Sequence, residues 1–574
     1  MMQPLNKRWQ IPPKLTPEVD FALFEYPPVL RQILFNRGHH RAEVAYSYLH
    51  ALPPDGTDPF ILKGIPEAVE RILFSIQKKE PVAIYGDYDA DGVTATALLV
   101  HALRALNADV CEYIPNRFDE GYGLNKEALN NLHDRGIRLV ISVDCGIRSN
   151  EEADYARQLG LDLIITDHHQ PKADIPQALA VINPKQIDDL YPEKGLAGVG
   201  LAYKLTEALI VSLIKQNSTA HLGISALDYL DLVALGTVAD LAPLKGENRT
   251  LVRSGLTSIR QRRRQGIASL IGASGLKPER ITSTDIGFAL GPRLNAAGRL
   301  DSALAAFELL TSDDPGKTGL LAQKLEAQNR ERQQITRDIQ AMAEQIALIE
   351  KKEPFLLFAA HPDFNPGVVG LAASRLTDLY YRPAIVAYQG ETFTRASCRS
   401  IAEFNITQAL DQCTDLLERY GGHAAAAGFT VRNENLPELL ERLQGLASEQ
   451  LSSRDLRPIL EADAEVTLSD LLYPDLLEYL DMLQPTGQEN SQAVFVTRNL
   501  KVTRQRTVGK DDAHLKLTVT DGKRYFDAIA FRQGHWAQKM PPFIDLMYVF
   551  ETNEYNGGTY LQLNVRDIKL AGKD

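Results

Sequence analysis

The segment VAIYGDYDADG sets Asp87, Asp89 and Asp91 at every second position directly after a short apolar run, with Gly92 closing the series. Three carboxylates this close repel one another and would repel a phosphate, so the arrangement calls for a cation between them and any anionic ligand. Its opening copies a calcium loop, D-x-D-x-D-G. The twelfth loop position is Leu98 rather than a bidentate Glu, however, and the preceding run reads as a strand rather than a helix. The G-x-G-x-x-G pattern of a dinucleotide cradle is absent. Two further apolar runs end in acids: RLVISV at Asp144, and LDLIIT at Asp167, which His168 and His169 follow at once. Asp240 in LVALGTVAD closes a fourth run. Carboxylates mixed with imidazoles suit Mn²⁺ or Mg²⁺, and the cysteines lack the paired spacing of a structural zinc site.

Taken singly, each piece has a plain structural reading. A D-x-D at a strand end is a turn or a helix cap, and adjacent histidines are one exposed and one packed ring. Four acid-bearing ends of apolar runs, one with two histidines, are harder to explain as solvated turns. Parallel strands in one sheet bring their C-terminal ends to a common edge, where side chains remote in sequence converge. The expectation is therefore a metal site on such an edge, with all four acids at strand ends.

The elements that must position these residues follow from the rest of the chain. Its 574 residues, 44% hydrophobic and 24% charged, make roughly three or four domains with real cores. Prolines between short apolar pieces mark residues 1–60 as a helical extension. Residues 61–315 alternate apolar runs with helical stretches, as a buried parallel sheet does. Residues 316–350 carry a long helical pattern, about 45–50 Å at 1.5 Å per residue, that joins two lobes. A second α/β lobe is expected over 351–452. In 453–574, five alternating runs from LKVTRQRTV to TYLQLNVRDIKL suggest a small barrel.

The fold class is thus α/β, with a parallel-sheet domain, a second lobe and a C-terminal barrel. Net charge is −12, but residues 491–574 hold 13 Lys+Arg against 9 Asp+Glu, so a local basic end remains for a polyanion. Four scattered cysteines and the lack of a long uncharged apolar stretch point to a reduced, cytoplasmic setting without a membrane span.

GDYDADG, SVDCG, TDHH and GTVAD resemble the successive motifs of the DHH phosphoesterase superfamily, and GGHAAAAG resembles the signature of its associated second subdomain. IPNRFDEGYGLN, GVGLAYKL, GPRLNAAGRLDSA and NPGVVGLAASRL are similar to segments of its bacterial branch that degrades single-stranded DNA. The resemblance implies a DHH catalytic domain, a DHH-associated substrate-binding domain and an OB-fold-like barrel. It implies one or two Mn²⁺ or Mg²⁺ ions on Asp87, Asp89, Asp144, His168 and Asp240, with Asp144 bridging. His169 would clamp the phosphate or donate a proton, and Asp167 would orient the imidazoles.

For substrate, the readings are Arg117, Tyr122, Arg293 and Arg299 on phosphates and bases, and Ser397, Arg399 and His423 on a terminal 5′-phosphate. An interdomain salt bridge is the competing reading for Arg293 and Arg299. The implied activity is metal-dependent 5′-to-3′ hydrolysis of single-stranded DNA to mononucleotides in recombination and repair, by a monomer. A cleft too narrow for duplex would select the strand, and single-strand-binding protein and a helicase would act alongside. The alternatives are a phosphodiesterase of short oligonucleotides or cyclic dinucleotides, and a catalytically silent repair scaffold.

Overall fold

Five short runs rich in Val, Ile and Leu pair in parallel in the order Val110–Tyr113, Val82–Gly86, Leu139–Val143, Asp162–Thr166, Ala180–Ile182. This computed structural model describes residues 6–116, 119–216, 219, 223–348, 354–555 and 558–572. Alternation along the central strands divides the core. Val82, Ile84, Leu139 and Ile141 face a cluster that includes the helices Ala90–Ala105, Gly198–Lys215 and Leu230–Ala239. Ala83, Tyr85 and Val140 face the helices Lys126–Asp134 and Asn150–Leu159. Both faces are covered, which is why every residue of Val82–Gly86 and Leu139–Val143 is buried. The edge strand Val110–Tyr113 escapes sequence reading because VCEY is four residues long and mostly half-exposed.

The chain forms two compact units. One comprises Lys14–Asn329 and Leu472–Ala493; the other comprises Met1–Pro13, Arg330–Leu471 and Val494–Asp574. The division falls inside the 34-residue helix Pro315–Leu348. Two segments lie elsewhere than the expected boundaries put them. Strand Arg8–Gln10 pairs in parallel with Ile459–Glu461 in the second unit, and 472–493 folds onto the first. The anchor of that returning segment is Arg249, whose guanidinium donates to the carbonyls of Tyr48 (3.0 Å), Met482 (2.8 Å), Leu483 (2.9 Å) and Pro485 (3.3 Å).

The second unit holds a mixed sheet in the order Leu417–His423, Ala426–Arg432, Phe393–Arg399, Ala384–Gln389, Leu357–His361. It also holds the expected barrel. Strands Phe495–Val508, His514–Thr520, Tyr525–Ala530, Gly558–Leu570 and Phe543–Tyr555 pair in turn, and Phe495–Val508 pairs with Phe543–Tyr555 to close the ring. Period-two alternation turns Phe526 inward and leaves Tyr525 exposed. No helix among the described residues is long and apolar enough to cross a membrane, and all four cysteines are free.

Candidate metal centre

Strand Val82–Gly86 delivers its chain into a turn from which Asp87, Asp89 and Asp91 project. Asp89 caps the helix Ala90–Ala105, its Oδ1 accepting from the N–H groups of Asp91 (2.9 Å) and Gly92 (3.0 Å). The next orphan donor, Ala90 N–H, is taken by Asn295 Oδ1 at 2.8 Å. Gly92 is demanded by space, since a β-carbon there would lie 2.6 Å from the Asp87 carbonyl oxygen. Asp91 is fully enclosed and accepts from Gly198 N (2.6 Å) and Val199 N (2.8 Å), at the start of the helix Gly198–Lys215.

Asp144 follows strand Leu139–Val143 in the left-handed region, φ 60°, and its N–H donates to Thr166 O on the next strand. That unusual conformation turns its carboxylate into the cluster. Asp167 follows Asp162–Thr166. Its Oδ2 accepts from Ile147 N, and its Oδ1 accepts from both His169 N (2.9 Å) and His169 Nδ1 (2.7 Å). Asp240 corrects the expectation of a fourth strand end, because it terminates the helix Leu230–Ala239. That helix is buried nearly all round, so its sequence shows no polar face to separate it from a strand.

The side chains converge. His168 Nε2 lies 3.1 Å from Asp144 Oδ1, 3.7 Å from Asp240 Oδ2 and 3.9 Å from Asp91 Oδ2. Three overlapping groups each place ligand atoms within 4.8 Å of one another: Asp87, Asp89 and Asp144; Asp144, His168 and His169; Asp91, His168 and Asp240. Asp91, the third acid of D-x-D-x-D-G, stands outside the expected ligand set, yet the structure groups it with His168 and Asp240.

Burial and mutual repulsion set the charge of the cluster. Burial, then the neighbouring Asp91, Asp89, Asp87 and Asp240, holds the Asp144 carboxyl well above the usual carboxylate range. Burial with Asp91 and Asp89 lifts Asp240 to about 9, and burial with Asp89 lifts Asp91 to about 7. Burial, aided by His169, pushes His168 down to about 3, so its ring is neutral. Asp144 Oδ1 and His168 Nε2 are buried with no hydrogen-bond partner. Unpaired buried oxygen and nitrogen acceptors among crowded acids fit a divalent cation with mixed carboxylate and imidazole ligands.

The proposed substrate residues are dispersed. Tyr122 O–H reaches His169 Nδ1 and Asp144 O, both at 3.4 Å, while its ring stays exposed. Arg117 lies outside the described residues. Arg293 is engaged, with Nε donating to Glu326 Oε2 at 2.6 Å and Nη1 to Ala289 O at 2.7 Å, a salt bridge inside one unit rather than between domains. Arg299 is half-buried in the last turn of Gly291–Leu300. In the second unit, Arg399 and His423 both stand opposite Ala426, on its two sides, and Ser397 stands opposite Gly428. The Arg399 guanidinium donates to Cys398 O and lies beside Gly370 in the first turn of Val369–Tyr380, where a β-carbon would be 3.2 Å from its Nη2.

The chain is 38% identical over 550 residues to the single-stranded-DNA-specific exonuclease RecJ of Bacillus subtilis, covering 95% of this chain and 68% of that protein. The chain belongs to the RecJ family. Family models match the chain in three places: the DHH family N-terminal domain over 81–237, the DHHA1 domain over 352–449 and the RecJ OB domain over 462–567. Among solved structures it resembles Thermus thermophilus RecJ in complex with Mn²⁺ (TM-score 0.83, 30% identity, 99% of this chain and 80% of that one). The same protein in complex with Mg²⁺ aligns with TM-score 0.78, 29% identity and coverage of 99% and 79%. Metal-dependent hydrolase chemistry and a Mn²⁺ or Mg²⁺ cofactor accordingly go with this fold.

Proposed function

We propose that the chain is a single-stranded-DNA-specific exonuclease that works from the 5′ end and releases 5′-mononucleotides in recombination and repair. The observation that carries the reading is the unpartnered pair Asp144 Oδ1 and His168 Nε2 inside a ring of acids, in a chain alike over nearly its whole length to RecJ exonucleases. Asp87, Asp89, Asp144, His168 and Asp240 would hold the ions, with Asp91 completing the set. Bound divalent ions supply charge neutralisation on phosphoryl oxygens and an acidified water.

The chain's own residues supply position and protons. Asp167 accepts from His169 Nδ1, which fixes the ring and leaves Nε2 to face substrate. Burial opposes charge on His169, but its hydrogen bond to Asp167 and the charges of Asp167, Asp89 and Asp91 outweigh that and raise its pKa. A proton is thus kept on His169 for a phosphate oxygen or for the departing 3′ oxygen. Tyr122, whose exposed ring meets His169 edge-on, would stack the terminal base. Arg399, with Ser397 and His423, would hold the terminal 5′-phosphate, while Arg117, Arg293 and Arg299 would contact the strand behind it.

The working setting is a cytoplasmic monomer acting alongside single-strand-binding protein and a helicase. Offering 5′-phosphorylated single strands beside blunt duplex tests the substrate reading: rapid loss of the former alone is expected, and equal digestion of both would overturn it.

A further inference from the structure

The metal cluster accounts for the two imidazoles but not for what fixes the chain that carries them. Immediately after strand Ala180–Ile182 the sequence reads Asn183, Pro184, Lys185. Asn183 is fully buried, and its Nδ2 donates to His169 O at 2.9 Å. Its Oδ1 accepts from Lys185 N at 2.8 Å, which closes a tight turn. That turn aims the Lys185 ammonium at His168 O, 2.5 Å away. Two consecutive carbonyls, one from each histidine, are therefore gripped by two side chains of one three-residue loop.

A peptide held at both carbonyls cannot rotate, and rotation there is the motion that would swing the imidazoles. The backbone of a ligand residue sets its ring orientation as surely as a partner on the ring does. We infer that Asn183 and Lys185 are positioning residues for His168 and His169, and that the Lys185 hydrogen bond to His168 O is required for full divalent-metal affinity. The inference rests on the metal-centre reading above and adds residues to it that touch neither ion nor substrate.

Charge alone predicts the opposite sign. Lys185 faces the acidic cluster, with Asp240 and Asp167 as the carboxylates acting on it. Removing a cation from beside a divalent ion would tighten metal binding by simple electrostatics. Loss of positioning loosens it. The two accounts therefore separate on one variant.

The experiment is Mn²⁺ binding to the full chain, by calorimetry after chelation, for the wild type, Lys185→Met and Lys185→Arg, with melting temperature in EDTA as the control for folding. Lys185→Met keeps the apolar stem and loses the donor; it is expected to bind Mn²⁺ about 10-fold or more weakly. Lys185→Arg keeps a donor and is expected to restore most of the affinity. Should Lys185→Met fold poorly, Lys185→Gln, which retains an N–H but no charge, serves in its place and is expected to fall between them. Unchanged or tighter binding by Lys185→Met beside a wild type that binds would overturn the inference and leave the metal centre standing. A wild type that binds no Mn²⁺ would overturn both.

Discussion

Gly198 sits so close to Asp144 that a β-carbon on the glycine would come within 2.7 Å of the Asp144 β-carbon. The helix Gly198–Lys215 thus presses its bare first residue against the acid expected to bridge the ions, and the same turn gives its N–H groups to Asp91. Gly198→Ala must displace Asp144, and a misplacement on the ångström scale lowers turnover about 100-fold. Steady-state hydrolysis of a labelled single strand checks this, with an unchanged melting temperature in EDTA expected. Wild-type turnover in the variant would refute the close-packing account.

Acid crowding also makes stability depend on pH. Asp240, at about 9, and Asp91, at about 7, stay protonated in the metal-free fold where the unfolded chain has ionised, since an ordinary Asp titrates near 3.9. Between those limits the folded state binds more protons, so stability falls as pH rises from about 4 through the folded values. The melting temperature in EDTA should drop between pH 6 and pH 8.5, and the rise produced by Mg²⁺ should be larger at pH 8.5. A Mg²⁺ effect independent of pH would contradict this linkage.

Much of this centre was legible in the sequence, and the gaps have physical causes. Asp87, Asp144 and Asp167 each follow a short apolar strand, and parallel pairing carries such ends to one edge whatever lies between them. Asp240 was legible as an acid closing an apolar run but not as a helix end, because LDLVALGTVA is buried almost all round. Asn183, Lys185 and Asn295 work through backbone groups and leave no periodic trace. Arg249 reads in sequence as one cation on an amphipathic helix; only the fold reveals the returning segment 472–493 as its partner.

That partnership is testable through stability. Arg249 is buried, lies 4.3 Å over the Tyr48 ring and serves four carbonyls. Arg249→Met would strand those acceptors, and buried unsatisfied groups of this kind cost about 3 kcal/mol in total even after partial rescue by water. Lysine, a compact cation without the planar fork, should recover only part. Thermal unfolding measures the loss; a methionine variant as stable as the wild type would remove Arg249 from its anchoring role.

Arg399 carries the expectation for the DNA end. Its guanidinium is drawn below its ordinary pKa by burial, and no carboxylate pairs with it among the described residues. Arg399→Ala should erase most of the preference for a 5′-phosphate over a 5′-hydroxyl, a charge-assisted contact worth about 10-fold or more, with little effect on turnover at saturating substrate. Equal preference in variant and wild type would place the terminal phosphate elsewhere.

The whole account turns on acids from separate elements trapping divalent ions that act on a strand end. The most direct measurement is the first product released from a 5′-labelled single strand as Mn²⁺ is titrated, for the wild type and Asp144→Ala. The account predicts labelled mononucleotide from the outset, rising with Mn²⁺ and absent in EDTA or in the variant. Label retained on long fragments, or hydrolysis undiminished by Asp144→Ala, would contradict it.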